Sequence, residues 1–263
     1  MNTRFSEHTV QLGQCDLFYL KSQNSTDQTP ILFLHGWGIS TEPYQEVFSL
    51  LARQHPIIAP DLPSFAKSNY PDILPNYDSY ATILIQFIEK LNLKSVHLVG
   101  HSLGGGISIA LASRIPDRIE SLTLIDSTGL PAGSVAEVLV RRAIEMPLQI
   151  SIPKLKLQFV DIPQVFLTNL LFNTPNVFQA LLISLQEDLG DRLPQIKSPC
   201  LLLWSEKDLT TLLPLGQKMK RCIPNAQLVI VEEGFHEWGL IYPEKLTSLI
   251  LNFITQTDAA FVA

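Results

Sequence analysis

The stretch Gly100-His101-Ser102-Leu103-Gly104 sets a serine between two glycines, each two residues away. An apolar run, Val96 to Val99, leads into it and a helix-like run from Gly105 to Ser113 leads out. This is the Gly-x-Ser-x-Gly spelling of a nucleophile elbow, in which a serine oxygen is held at the top of a sharp strand-to-helix turn. Such a turn strains the serine backbone and brings strand and helix so close that the positions two before and two after it must be small. The pentapeptide alone is common. The strand before it and the helix after it are the setting that the chemistry requires.

The elements that must position this serine are legible from pattern. Ile31-Leu32-Phe33-Leu34, Ile57-Ile58-Ala59, Leu122-Thr123-Leu124-Ile125, Leu201-Leu202-Leu203-Trp204 and Leu228-Val229-Ile230-Val231 are short apolar runs suited to strands buried on both faces. Two further strands are expected at 8–13 and 15–20. Between these runs lie helical spacings: Pro43 to Gln54, then Tyr80, Ile83, Leu84, Phe87, Ile88 and Leu91 behind a cap at Asp78 or Ser79, then the elbow helix, and finally Leu246, Leu249, Ile250 and Phe253 on one face. Alternating strand and helix predict a parallel sheet flanked by helices. The rhythm breaks between Ser127 and Lys197. That region has no clean buried strand, only leucine-rich stretches punctuated by Pro131, Pro147, Pro153, Pro163, Pro175 and Pro194. Helices are expected there at 134–145, 164–172 and 176–189, and the tail from Asp258 to Ala263 is expected to be loose.

Composition bounds the partners. With 46% hydrophobic residues, 17% charged residues and a net charge of −6, the chain can bury a large core and has no basic surface to track phosphates. Nucleic acid is therefore excluded as the main partner. The first ten residues lack an apolar run behind a basic head, and no stretch is long and apolar enough to span a bilayer. Cys15, Cys200 and Cys222 are odd in number and scattered, which predicts reduced thiols and a cytoplasmic location. No cofactor-binding or metal-ligand spacing is present in the sequence.

Five pieces occur in one order: His35-Gly36-Trp37-Gly38, Asp61 to Ser68, the Gly100–Gly104 elbow, Leu203 to Asp208, and Gly234-Phe235-His236. In this the chain resembles the α/β-hydrolase superfamily over nearly all its length outside the 128–197 region. The resemblance implies a mostly parallel eight-stranded sheet flanked by helices. Residues 1–127 and 198–263 would form the core, and 128–197 a helical cap after the sixth strand. In that family the nucleophile, acid and histidine follow in chain order, which here gives Ser102, Asp208 and His236. A serine hydroxyl needs a base at neutral pH, histidine titrates there, and an aspartate fixes its tautomer. The expected oxyanion hole is the backbone N–H of Leu103 with that of Trp37. Asp126, also at a strand end, is the reserve acid. His101 is expected to pack or hydrogen-bond beside the nucleophile and, with the Trp37 ring, Phe166 and Leu170, to border the substrate. Glu206, Glu232, Glu233 and Glu237 read as surface charges. Many relatives have glycine where Ser64, Ala66 and Ser205 stand.

The resemblance implies a serine hydrolase, carboxylesterase-like, acting on an ester of a small or medium apolar molecule through an acyl-enzyme on Ser102. The cap is rich in Leu and Phe, which suits an apolar pocket beneath a lid. The same machinery would serve a carbon–carbon bond hydrolase, a lactonase, an acyltransferase or a cofactor-free haloperoxidase, and a ligand receptor of this fold is the alternative of another class. Arg141, Arg142, Lys154 and Lys156 form a modest basic cluster, open to an acidic carrier or an anionic membrane surface but more simply a solvated face.

Overall fold

The computed structural model describes residues 4–24, 26–150, 174–232 and 234–262. The chain opens with a hairpin, β1 (Phe5–Leu12) and β2 (Cys15–Ser22), paired antiparallel around Gly13. Then follow β3 (Ile31–Leu34), α1 (Gln45–Leu51), β4 (Ile57–Pro60), α2 (Tyr77–Lys90), β5 (Val96–His101), α3 (Leu103–Arg114) and β6 (Ile119–Ile125). After β6 the described residues of the inserted region form two helices, α4 (Val135–Ile150) and α5 (Thr174–Gln186), and a 3-10 turn at Gly190–Gln195. The core resumes with β7 (Cys200–Ser205), α6 (Leu213–Cys222), β8 (Ala226–Val231), the short α7 (Trp238–Ile241) and α8 (Pro243–Val262).

The strands form one eight-stranded sheet in the order β1-β2-β4-β3-β5-β6-β7-β8. The pairs from β4 onward in that order are parallel, and β2 joins β4 antiparallel. Strands β3, β5 and β7 are buried along their whole length; β3 and, as far as Trp204, β7 accordingly read as unbroken apolar runs, while β5 also buries His97 and His101. One core packs α2, α3 and α6 against one face, with Tyr77, Phe87, Leu103, Ile107 and Met219. The other packs α1 and α8 against the opposite face, with Phe48, Leu51, Ile250 and Phe253. Because β3 and β5 to β8 run parallel, their carboxyl ends share one edge. Open α/β folds bind ligands at that edge.

Four boundaries differ from expectation. The helix ahead of the elbow is capped by Asn76, whose side chain accepts from Ser79 N at 2.9 Å, so Asp78 and Ser79 lie inside its first turn. The expected 43–54 helix divides into a 3-10 turn at Glu42–Tyr44 and α1. Helix α4 runs past Pro147 to Ile150 rather than ending at Glu145. The tail is not loose over 258–262: α8 continues through it, and Thr257 is buried with its hydroxyl on the Phe253 carbonyl. The helix expected at 164–172 lies outside the described residues.

Candidate active site

Ser102 stands between the end of β5 and the start of α3 with φ of 52° and ψ of −116°, a conformation that L-residues avoid. Four hydrogen bonds to its carbonyl hold it there, from Gly105 N at 2.9 Å, Gly106 N at 3.3 Å, Thr128 N at 3.1 Å and Thr128 Oγ1 at 3.0 Å. The Thr128 hydroxyl is itself fixed by the Tyr77 hydroxyl at 2.7 Å. The flanking glycines are required by approach. A Cβ on Gly104 would come within 2.2 Å of the Leu34 carbonyl oxygen, and one on Gly100 within 2.4 Å of the Gly104 oxygen. Strand β3, strand β5 and helix α3 therefore meet at a point only glycine permits.

Two parallel strands along the same edge, the turns after β7 and β8 deliver Asp208 and His236. The His236 Nδ1 lies 2.8 Å from Asp208 Oδ2, and its Nε2 lies 3.0 Å from Ser102 Oγ. All three side chains are nearly or fully buried. In the neutral imidazole, Nδ1–H donates to Asp208 and Nε2 accepts the serine proton. Asp208 is held in turn by Thr210 N at 2.6 Å, Thr211 N at 2.8 Å and the Thr211 hydroxyl at 2.7 Å. Burial pulls the His236 pKa down. The neighbouring Asp208 carboxylate, the hydrogen bond to it and the Glu237 charge outweigh burial, and the pKa stands at about 9.

The loop after β3 lies against this site. A Cβ on Gly36 would reach 3.5 Å from the Ser102 Cβ, so the Gly36–Trp37 backbone borders the nucleophile. His35 holds the loop's shape: its Nδ1–H donates to Gly36 O at 2.8 Å, and its Nε2 accepts from Leu62 N at 2.8 Å. Burial lowers its pKa, consistent with a neutral ring. Leu103 is the first residue of α3, so its N–H has no partner within the helix. The Trp37 ring is half-buried, and its Nε1–H donates 2.7 Å to the Val177 carbonyl of α5, tying the loop to the inserted region.

Two further residues resolve into supporting roles. His101 is buried with both ring nitrogens engaged, Nδ1 accepting from the Tyr44 hydroxyl at 2.6 Å and Nε2–H donating to the His236 carbonyl at 3.1 Å. It thus backs the His236 loop and has no free ring nitrogen, unlike the substrate-bordering role expected of it. Burial and the His236 charge push its pKa down to about 4. Asp126, the reserve acid, is fully buried and faces Ser205, whose N donates at 2.7 Å and whose Oγ lies 2.6 Å from Asp126 Oδ2. The same Ser205 Oγ lies 2.9 Å from the Phe235 carbonyl. Burial, then the charge of Asp208, raise Asp126 well above the carboxylate range. A protonated Asp126 donating to Ser205, which donates to Phe235, satisfies every group in that file.

Several residues here were not foreseen. Glu145, on α4, is fully buried and reaches both the acid and the base loops. Glu237 is no surface charge. It pairs with Arg142 at 2.6 Å, and although burial would raise its pKa, Arg142 and His236 bring it to about 2. Arg142 is thereby taken by Glu237 and Glu145, and Arg141 donates to the Ala132 carbonyl, so neither forms the solvated basic face expected of the cluster. Lys154, Lys156, Phe166 and Leu170 lie outside the described residues. No sequence signal could have found Glu145 or Tyr44, whose partners are 91 and 57 residues away. Among the described residues, His101, Asp126 and His236, and separately His97, Glu120 and Asp258, come close enough to share a cation. The first set is already committed to the hydrogen bonds above. In the second, the carboxylates stand 3.7 and 3.8 Å from His97 Nε2, a charge-pair spacing.

The family described as the alpha/beta hydrolase fold matches residues 29–149. A hydrolase of Bacillus subtilis without an assigned function is 26% identical over 261 residues, 91% of this chain and 94% of that protein. Lipase 3 of a Moraxella species is 28% identical over 243 residues, 84% of this chain and 75% of the lipase. The crystal structure of a bacterial membrane phospholipase A superposes with a TM-score of 0.81 at 24% identity, covering 97% of this chain and 87% of that one. Sheet order, strand connections and these likenesses agree, and the chain has the α/β-hydrolase fold.

Proposed function

We propose that the protein is a serine hydrolase that cleaves carboxylic esters of small or medium apolar molecules through an acyl-enzyme on Ser102. The observation that carries this reading is the hydrogen-bonded file Asp208–His236–Ser102, ending on a serine held at positive φ. His236 Nε2 takes the Ser102 proton as Oγ attacks the ester carbonyl. The backbone N–H groups of Leu103 and Trp37 would receive the charge that develops on the carbonyl oxygen, an interaction stronger in the tetrahedral intermediate than in the ester. Collapse breaks the bond to the alkoxy group, which leaves with the proton from His236. Water then attacks the acyl-enzyme, with His236 again as base, and the carboxylic acid departs.

In this reading residues 128–197 are a cap over the catalytic edge. Its helix α4 exposes Leu139, Val140, Ile144 and Leu148, the last three at every fourth position and so on one face. An apolar acyl chain suits that surface, as does the likeness to a lipase. The test is a panel of p-nitrophenyl esters of graded acyl length together with a fluorophosphonate probe. Turnover and labelling at Ser102 are expected, both lost in Ser102→Ala, with labelling strongly reduced in His236→Ala. A folded wild-type protein that neither turns over any ester nor takes the probe would overturn the reading. Turnover confined to lactones or vinylogous diketones would keep the triad and reassign the substrate.

A further inference from the structure

We propose that Glu145 is a positioning residue for both the acid and the base, so that the Asp208–His236 pair takes its geometry only with helix α4 seated against the catalytic edge. The proposal rests on the reading of Ser102, Asp208 and His236 as a triad. Glu145 is fully buried, and its two oxygens are shared between elements far apart in sequence. Its Oε1 accepts from Leu209 N at 3.3 Å and from His236 N at 3.1 Å. Its Oε2 accepts from the Thr210 hydroxyl at 3.0 Å and from Arg142 at 3.1 Å. One oxygen thus bridges the residue after the acid and the backbone of the base itself.

One turn earlier on α4, Arg142 reaches Glu237, the residue after the base, through two nitrogens at 2.6 and 3.2 Å. Helix α4 therefore pins Leu209, Thr210, His236 and Glu237 in one patch. The acid and base loops are not equally dependent on it. Asp208 keeps its shape through Thr210 N and Thr211, within its own loop. Around His236, the ring nitrogens face Asp208 and Ser102, the carbonyl faces His101, and the N–H faces Glu145. Removing Glu145 leaves a buried N–H without its acceptor and lets the imidazole drift from Ser102. A displacement of about 1 Å in such a group costs on the order of 100-fold in rate. The loss falls on kcat, because the ring acts in the transition state and not in holding the substrate.

The test uses the full chain with p-nitrophenyl ester turnover and the low-field proton resonance of the His236–Asp208 hydrogen bond, which needs no substrate. In Glu145→Ala, kcat is expected to fall about 10- to 100-fold with KM within about threefold, and the resonance to broaden or vanish. Glu145→Gln keeps an acceptor oxygen for Leu209 N and His236 N, and is expected to return kcat to within about fivefold and to restore the resonance. Wild-type kcat and resonance in Glu145→Ala would overturn the proposal and leave a packing role. Equal losses in the Gln and Ala variants would overturn it too, by making the charge and not the acceptor geometry decisive. If the Ala variant does not fold, Glu145→Asp replaces it, since one methylene fewer leaves it unable to span both loops; wild-type kcat there would overturn the proposal. If the wild type cleaves no ester yet shows a resonance that Glu145→Ala alone removes, the ester reading fails and the positioning role stands.

Discussion

At the residue scale, two carboxyl groups, Asp208 and Asp126, lie near one imidazole, and their surroundings differ. Asp208 accepts from His236 and three donors of its own loop. Asp126 is driven towards its protonated form by burial and by Asp208. Replacing an ionised partner by an amide removes the imidazolium's counter-charge and permits the wrong tautomer, so Asp208→Asn is expected to lower kcat on the order of 10⁴-fold. An amide mimics a protonated carboxyl, donating to Ser205 Oγ and accepting from Ser205 N, so Asp126→Asn is expected to keep kcat within about threefold. Ester turnover of the two variants, read side by side, checks the assignment of the acid. The base makes its own prediction. In the proposed mechanism only neutral His236 takes the serine proton, so with its pKa at about 9, kcat/KM is expected to rise with pH and level off above about 9. His101, near 4, adds no inflection above that value. A pH–rate profile that is flat from 6 to 9 would contradict this.

At the element scale, the site is a property of strand ends. The runs Ile31–Leu34 and Leu201–Trp204 were legible because strands buried on both faces are continuously apolar, and the glycines at 100 and 104 because their neighbours approach within a bond length or two of where a side chain would begin. The cap residue of α2 and the break between the 3-10 turn and α1 were not legible, since Asn76, Asp78 and Ser79 are all acceptable cap types and only packing chooses among them. The loop after β4 makes a sharper case. Ser64 and Ala66 have φ of 69° and 47°, the left-handed region that favours glycine. Ala66→Gly relieves roughly 1–2 kcal/mol of steric strain against roughly 0.5–1 kcal/mol of chain entropy. It is expected to raise stability by about 0.5–1 kcal/mol, read as a higher urea midpoint at unchanged slope.

At the scale of the whole molecule, the buried charges couple catalysis to folding. His236 has a folded pKa of about 9 against about 6.5 in an unfolded chain. A group raised on folding contributes stability that is complete below about pH 6.5 and is lost as pH rises through about 9. Glu237, lowered to about 2, contributes steadily across that window and is lost only as pH falls through about 2. Stability is therefore expected to decline between pH 6.5 and 9, by on the order of a few kcal/mol. Urea unfolding at several pH values checks this, and Asp208→Asn should flatten the decline. No helix among the described residues is long and apolar enough to cross a membrane.

The sequence by itself determined the fold class and the serine with its glycines, while its resemblance to the α/β-hydrolase superfamily singled out Asp208 and His236 for the proposed roles of acid and base. The first two are written in local spacing: apolar runs of strand length, and small residues where backbones meet. Tertiary structure alone decided that Asp126 is driven towards its protonated form, what backs His236, and which loops the inserted helix α4 touches. Those depend on distances between elements separated by tens of residues. Glu145 and His236 are 91 apart in sequence and 3.1 Å apart in space. Burial, which sets the charge of Asp126 and the neutrality of His101, exists only once the sheet has brought those elements together.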